Sequence, residues 1–121
     1  MSEISAEELK QGMEGFYGTE HYYQDMACKL TDGMKFVVDK AGAGWLAVDI
    51  GTESRDLARK GKFEGILFWR LTVKMSSADL EALLDIPGKC VFKRHYEFTD
   101  FPEGVWVFYY QDGVLFLPSE Y

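Results

Sequence analysis

From residue 63 onward, apolar side chains recur at every second position. Phe63, Leu67, Trp69, Leu71 and Val73 fall on one side, and Glu64, Arg70, Thr72 and Lys74 on the other. A helix would scatter these residues around its circumference, so the run predicts a half-buried strand over residues 63–73. Ile66 and Phe68 interrupt the polar side, which predicts cover on both faces at the start of that strand. The alternation returns at Cys90, Phe92, Tyr96 and Phe98 against Lys89, Lys93, His95 and Glu97, with Val91 and Arg94 out of pattern. This is a second strand, over residues 90–98. Residues 105–110 and 114–117 are joined by Gln111-Asp112-Gly113, where Asp-Gly supplies the positive backbone angles of a tight hairpin. Both sides of the 105–110 run are apolar or aromatic. That favours a central strand covered on both faces over an exposed contact patch.

The first half reads differently. Ser5 and Glu8 stand at capping-box spacing before a short helix over residues 6–11, which Gly12 and Gly15 stop. Residues 21–30 fit either a helical face, through Tyr22, Met26 and Leu30, or a strand. Thr31 or Asp32 can cap the next helix, whose apolar face holds Met34, Phe36, Val37, Val38 and Ala41 and which weakens at Gly42. Trp45, Leu46, Val48 and Ile50 predict another helical segment. Ser76 or Ser77 can cap a short helix through Ala78, Leu80, Leu83 and Leu84, closed by a Pro87-Gly88 turn. At 121 residues, with no repeat and no linker, one core is expected over residues 1–121. Helices gathered early and strands gathered late predict an α+β domain. Its sheet is expected to be mostly antiparallel and four-stranded, with the helices packed on one face.

Charge excludes one class of function. Acidic residues number 20 against 13 basic ones, a net charge of -7, whereas a general nucleic-acid binder needs excess positive charge to displace counterions from phosphate. The acidic, polar start of the chain is the reverse of a secretion signal. No run approaches the roughly 18 to 20 apolar residues of a membrane span. A cytoplasmic location follows as an expectation, and with it two buried free thiols at Cys28 and Cys90.

Chemistry has few footholds. Two cysteines and two histidines, all isolated, do not make a zinc site, and Asp32, Asp39 and Asp49 are not spaced as a calcium loop. Gly42, Gly44 and Ala47 match a relaxed dinucleotide fingerprint, but they follow a helix where that fingerprint needs a strand. No metal and no cofactor is expected. The best catalytic constellation is Glu20, His21 and Tyr23, a carboxylate beside a potential general base and a phenol, with Asp100 or Glu120 available through folding. His95, flanked by Lys93 and Glu97, reads as a surface residue. Arg55, Arg59, Lys60 and Lys62 concentrate positive charge in what reads as a loop over residues 55–62.

The C-terminal part offers a contact surface instead. Residues 97–121 contain five acids and no base, and aromatic side chains crowd residues 92–121. Asp100, Glu103, Asp112 and Glu120 can compete for the lysines and arginines of a basic partner, with Tyr109, Tyr110 and Tyr121 adding contact area.

Several segments also resemble an uncharacterised bacterial family, a domain of unknown function associated with phages, plasmids and other mobile elements. They are FYGTEHYY at residues 16–23, LTDGMKF at 30–36, AGAGWL at 41–46, FTDFP at 98–102 and DGVLFLPSEY at 112–121. Gly44 departs from the aromatic expected there, and residues 55–62 and 76–88 do not align. The resemblance carries no catalytic residues. It implies a small accessory protein of a mobile element, with interference in host defence as its work. Together these readings favour an acidic protein that binds another protein, an inhibitor of the anti-CRISPR type that blocks a nucleic-acid-handling partner. The alternative is a small cytoplasmic enzyme built on Glu20 and His21.

Overall fold

The computed structural model describes residues 4–85 and 88–121. Three helices come first and frame two short strands: α1 (Ala6–Met13), β1 (Tyr22–Gln24), β2 (Lys29–Thr31), α2 (Asp32–Ala41) and α3 (Gly44–Arg59). Five strands follow: β3 (Leu67–Lys74), β4 (Ser77–Leu83), β5 (Cys90–Tyr96), β6 (Gly104–Gln111) and β7 (Val114–Phe116), before a 3-10 turn at Pro118–Glu120.

Local signals set the helix ends. Ser5 Oγ accepts from the Glu8 N–H at 3.1 Å and Glu8 reaches back to the Ser5 N–H, closing the capping box of α1. Thr31 caps α2 through the Met34 N–H, and Gly42 ends it in a left-handed conformation at φ 61°. α3 continues past Ile50 to Arg59, so Arg55 and Arg59 lie on helix rather than in a loop. Asp56 holds Arg59 at 3.3 Å and Lys60 at 2.9 Å there.

The sheet corrects the expected one. It has seven strands in the order β1-β2-β7-β6-β3-β4-β5, and β2 joins β7 in parallel while the other neighbours are antiparallel. It is therefore a mixed sheet, not a four-stranded antiparallel one. Residues 21–30, ambiguous in sequence, supply β1 and β2. Residues 77–83, expected as a helix, form β4. Ala78, Leu80 and Ala82 alternate inward against Asp79 and Glu81, and Met75 and Ser76, at φ 52° and 63°, turn the chain from β3 into β4. Pairing on both sides, to β3 and β5, overrides the helix preference of Ala, Leu and Glu. Of the turn expected after β4, Pro87 lies outside the described residues.

The helices cover one face. Leu67, Trp69, Leu71 and Val73 of β3, with Trp106 and Phe108 of β6, pack with Leu9, Met34, Leu46 and Ile50 of the helices, all buried. Inside this layer the Trp69 indole N–H donates to Ser54 Oγ at 2.9 Å, tying the sheet to α3. On the opposite face the alternate residues of β3 and β6, Phe68, Arg70, Val107 and Tyr109 among them, are half-buried. β6 is thus central, as expected, but it is covered on one face only. The thiols also divide: Cys28 is buried and Cys90 is exposed.

Candidate functional site

The outer face gathers its aromatic residues at one end. Register places Tyr109 opposite both Phe68 of β3 and Phe116 of β7, with ring centroids 4.9 and 5.7 Å away in edge-to-face geometry. Tyr121, beyond the 3-10 turn, lies 6.0 Å from Tyr109 and stacks over Phe116 at 6.2 Å. Its side chain is 80% exposed. Beside this cluster an open cleft of about 290 Å³ runs between Tyr121, Phe116 and Tyr22, with Gln111, Asp112 and Glu120 at its polar side.

Asp112 owes its place to the β6-β7 hairpin, where Asp112 and Gly113 take φ 52° and 81°, as the Asp-Gly pair predicts. Glu120 is held differently. Its Oε1 accepts from Thr31 Oγ1 at 2.6 Å and from the Leu117 N–H at 3.0 Å, and its Oε2 accepts from the Gly33 N–H at 3.0 Å. The carboxylate therefore stands at the start of α2, where free N–H groups and the helix dipole favour negative charge.

The seven residues expected at a partner surface do not form one patch. Asp112, Glu120 and Tyr121 converge on the cleft, and Tyr109 adjoins it through Tyr121. Tyr110 points to the helix side and is 4% exposed, so it presents no surface there. Glu103 accepts from the Met75 N–H at 3.1 Å and steadies the β3-β4 turn. Asp100 lines a second cavity, with Trp45 and Tyr96.

The residues expected as a catalytic constellation meet at Asp32, which the sequence offered as a helix cap and as an acid outside calcium-loop spacing. Asp32 Oδ2 accepts from the Glu20 N–H at 2.9 Å, Oδ1 lies 3.6 Å from His21 Nδ1, and the Asp32 N–H donates to Thr19 Oγ1 at 2.9 Å. Tyr23 also bonds to Asp32, and its ring lies 6.4 Å from that of His21. The Glu20 N–H, followed by Tyr23 and Thr19, holds the Asp32 carboxyl below its ordinary range against the opposing effect of desolvation. The same Asp32 bond pushes the Tyr23 phenol up. Glu20 thus contributes its backbone to this hub, and Glu120 flanks it through Thr31 and Gly33. Such a carboxylate can orient an imidazole. At 3.6 Å the two groups lie beyond hydrogen-bond reach, and the His21 side chain is 68% exposed. Among the described residues no group of three or more His, Cys, Asp or Glu is arranged to hold a metal. No helix among them is long and apolar enough to cross a membrane.

The chain belongs to a family of unknown function, DUF6876, whose family model matches residues 7–121. No curated protein and no solved structure matches it.

Proposed function

We propose that this chain is a binding protein that occludes a basic, nucleic-acid-handling partner with the aromatic end of its outer sheet face. One observation carries the reading: Tyr109, Phe116 and Tyr121 form a continuous ring cluster on the face that no described helix covers, beside a cleft edged by Asp112. Exposed tyrosines that lose little side-chain freedom on binding are effective contact residues, and negative charge at the margin selects a basic partner and speeds encounter. The sequence resemblance supplies the setting: an accessory protein of a mobile element, in the cytoplasm, acting on a host-defence effector of the CRISPR type.

The test is a pull-down from host lysate, with nucleases and CRISPR complexes present, using the chain and its Tyr121→Ala and Asp112→Lys variants. Recovery of a basic nucleic-acid-handling protein that both variants lose, and that the parent itself holds less tightly as salt rises, supports the reading. Recovery of no such partner, or binding unchanged in both variants, overturns it.

A second reading rests on Asp32, which brings His21 and Tyr23 around one carboxylate. It makes the chain a small enzyme with His21 as general base. His21→Ala would then abolish the biological effect at unchanged thermal stability, and turnover of a small molecule by the purified chain would rank this reading first.

A further inference from the structure

The basic segment of this acidic chain is placed by the C-terminal half of α3. Thr52, Arg55 and Arg59, three and then four positions apart, share one stripe of that helix and line a cavity of about 310 Å³. Among the described residues neither the Arg55 guanidinium nor the Thr52 hydroxyl has a hydrogen-bond or ion-pair partner. Burial pushes the Tyr110 phenol up and the Arg55 charge opposes that shift, which sets Arg55 on the side of α3 toward β6. Asp112 acts on the same phenol in the opposite sense, but it lines the cleft of the outer face and not this cavity. Arg59 lies 3.3 Å from one oxygen of Asp56, and Lys60 lies 2.9 Å from the other. Within residues 54–62, Arg55, Arg59, Lys60 and Lys62 thus stand with a single carboxylate, and Glu53 just before them is held by Arg94 at 2.9 Å. The carbonyls that would repel an anion from the end of α3 are occupied. Those of Asp56, Leu57 and Ala58 accept from the N–H groups of Lys60, Lys62 and Gly61.

We propose that this cavity binds a phosphate monoester. Two guanidinium groups match its two negative charges, and each carries a fork of N–H donors suited to paired oxygens. Arg59 spends one donor on Asp56 and keeps the others, while the Thr52 hydroxyl can donate to a third oxygen. A carboxylate or a phosphodiester brings one charge and two terminal oxygens, so either leaves a guanidinium uncompensated. No ring and no carboxylate lines the cavity, so recognition falls on the anion itself and not on a stacked base. The volume sits near the lower end of the roughly 300–1,000 Å³ of small-ligand sites, which suits one compact phosphoryl group. This site uses neither the ring cluster of the outer face nor the Asp32 loop, and it does not depend on the binding function proposed above.

Inorganic phosphate titrated into the isotope-labelled full chain tests the site, at matched ionic strength and about pH 8, where the phosphoryl group is a dianion. The Thr52 amide and the Arg55 and Arg59 side-chain N–H signals are the reporters. Phosphate is expected to shift them saturably, and dimethyl phosphate, with one charge, should bind roughly tenfold more weakly. Arg55→Gln, at an exposed position, should weaken phosphate roughly tenfold with the melting temperature unchanged. Arg55→Lys, which keeps the charge and loses the fork, should fall between it and the parent. Lys62→Gln removes one charge of the same segment outside the cavity and should leave phosphate affinity within about twofold. Glycerol 3-phosphate and a phosphoserine peptide, run in parallel, identify the carrier, which the tighter of the two names. The proposal fails if phosphate does not shift the reporters saturably, or if dimethyl phosphate binds as well as phosphate. It fails equally if Lys62→Gln costs as much affinity as Arg55→Gln, because diffuse positive charge would then account for the binding.

Discussion

Glu120 reaches across the fold to the Gly33 N–H at 3.0 Å, joining residues 87 positions apart so that the end of the chain supplies part of the start of α2. The same carboxylate accepts from Thr31, the residue that caps this helix. Glu120→Ala strands the Gly33 and Leu117 N–H groups in a half-buried setting and should cost about 2–3 kcal/mol, read as a lower urea midpoint. Gly33→Ala should act alike from the other side. A β-carbon there would stand 2.7 Å from both Glu120 Oε1 and Leu117 Cδ1, so the capping turn must move, at about 1–3 kcal/mol. If both variants unfold with the parent, the turn does not anchor α2.

That contact also marks where the sequence stops being legible. The capping box of Ser5 and Glu8, the Thr31 cap, the Gly42 stop and the Asp112-Gly113 hairpin are settled within a few residues, and each reads correctly from its neighbours. β1, β2 and β4 are not settled that way. Residues 29–30 become strand because Val114 and Leu115 lie alongside, and residues 77–83 because β3 and β5 pair on either side. Met75 and Ser76 turn the chain without the glycine or asparagine that would announce a hairpin. Arg94, out of pattern as an inward residue, signals what it does: the edge strand meets Asp49 and Glu53 of α3 rather than an apolar surface. The Asp32 hub escaped because its partners lie up to 13 positions earlier, in the irregular stretch before β1 and in β1 itself.

The Trp69 bond to Ser54 predicts a measurable loss inside the core. Both side chains are fully buried, so Ser54→Ala leaves the indole N–H without its partner and should cost about 1–3 kcal/mol. Ser54→Thr, which keeps the hydroxyl, tests the bond against the space, because crowding alone would make threonine the worse replacement.

Acidification should release the loop around Asp32. Its carboxyl titrates below the ordinary value of 3.8 in the folded chain, so the unfolded chain takes up the proton first as pH falls. The stabilisation is therefore complete above that ordinary value and is lost as pH falls through the lower folded one. The Glu20 amide signal, bonded to Asp32, should hold steady from pH 7 to pH ~5 and move at lower pH, and Asp32→Asn should abolish the movement. Asp56 is lowered as well, mainly by Lys60, so overall melting curves would mix the two groups where the amide does not. A Glu20 amide that titrates identically in Asp32→Asn would refute the assignment.

The two thiols should differ in reactivity. Burial, aided by Asp25, pushes Cys28 up to about 12, so it stays a covered, protonated thiol at neutral pH. Cys90 is exposed at the start of β5. Brief iodoacetamide treatment at pH 7.5, followed by peptide mass spectrometry, should label Cys90 and spare Cys28 until urea unfolds the chain. Prompt labelling of Cys28 in the native protein would contradict the packing of Cys28, just before β2, against Ala47 and Gly51 of α3.

Tyr121 separates the proposed surface from the structural end of the chain. It lies one residue beyond Glu120, which holds α2, yet its own side chain is 80% exposed and touches only the rings of Tyr109 and Phe116 among the described aromatic contacts. Tyr121→Ser should therefore change stability by no more than about 0.5 kcal/mol. Partner affinity should fall roughly tenfold or more if the ring is a central contact. Tyr110→Phe, on the opposite side of β6, keeps the buried ring and should leave partner affinity unaltered. His21→Ala should also leave it unaltered, because His21 belongs to the Asp32 loop and not to the ring cluster. Titration calorimetry with the captured partner reads all three variants. If His21→Ala is the damaging change and Tyr121→Ser is silent, contact runs through the loop, and the outer face loses its place as the binding surface.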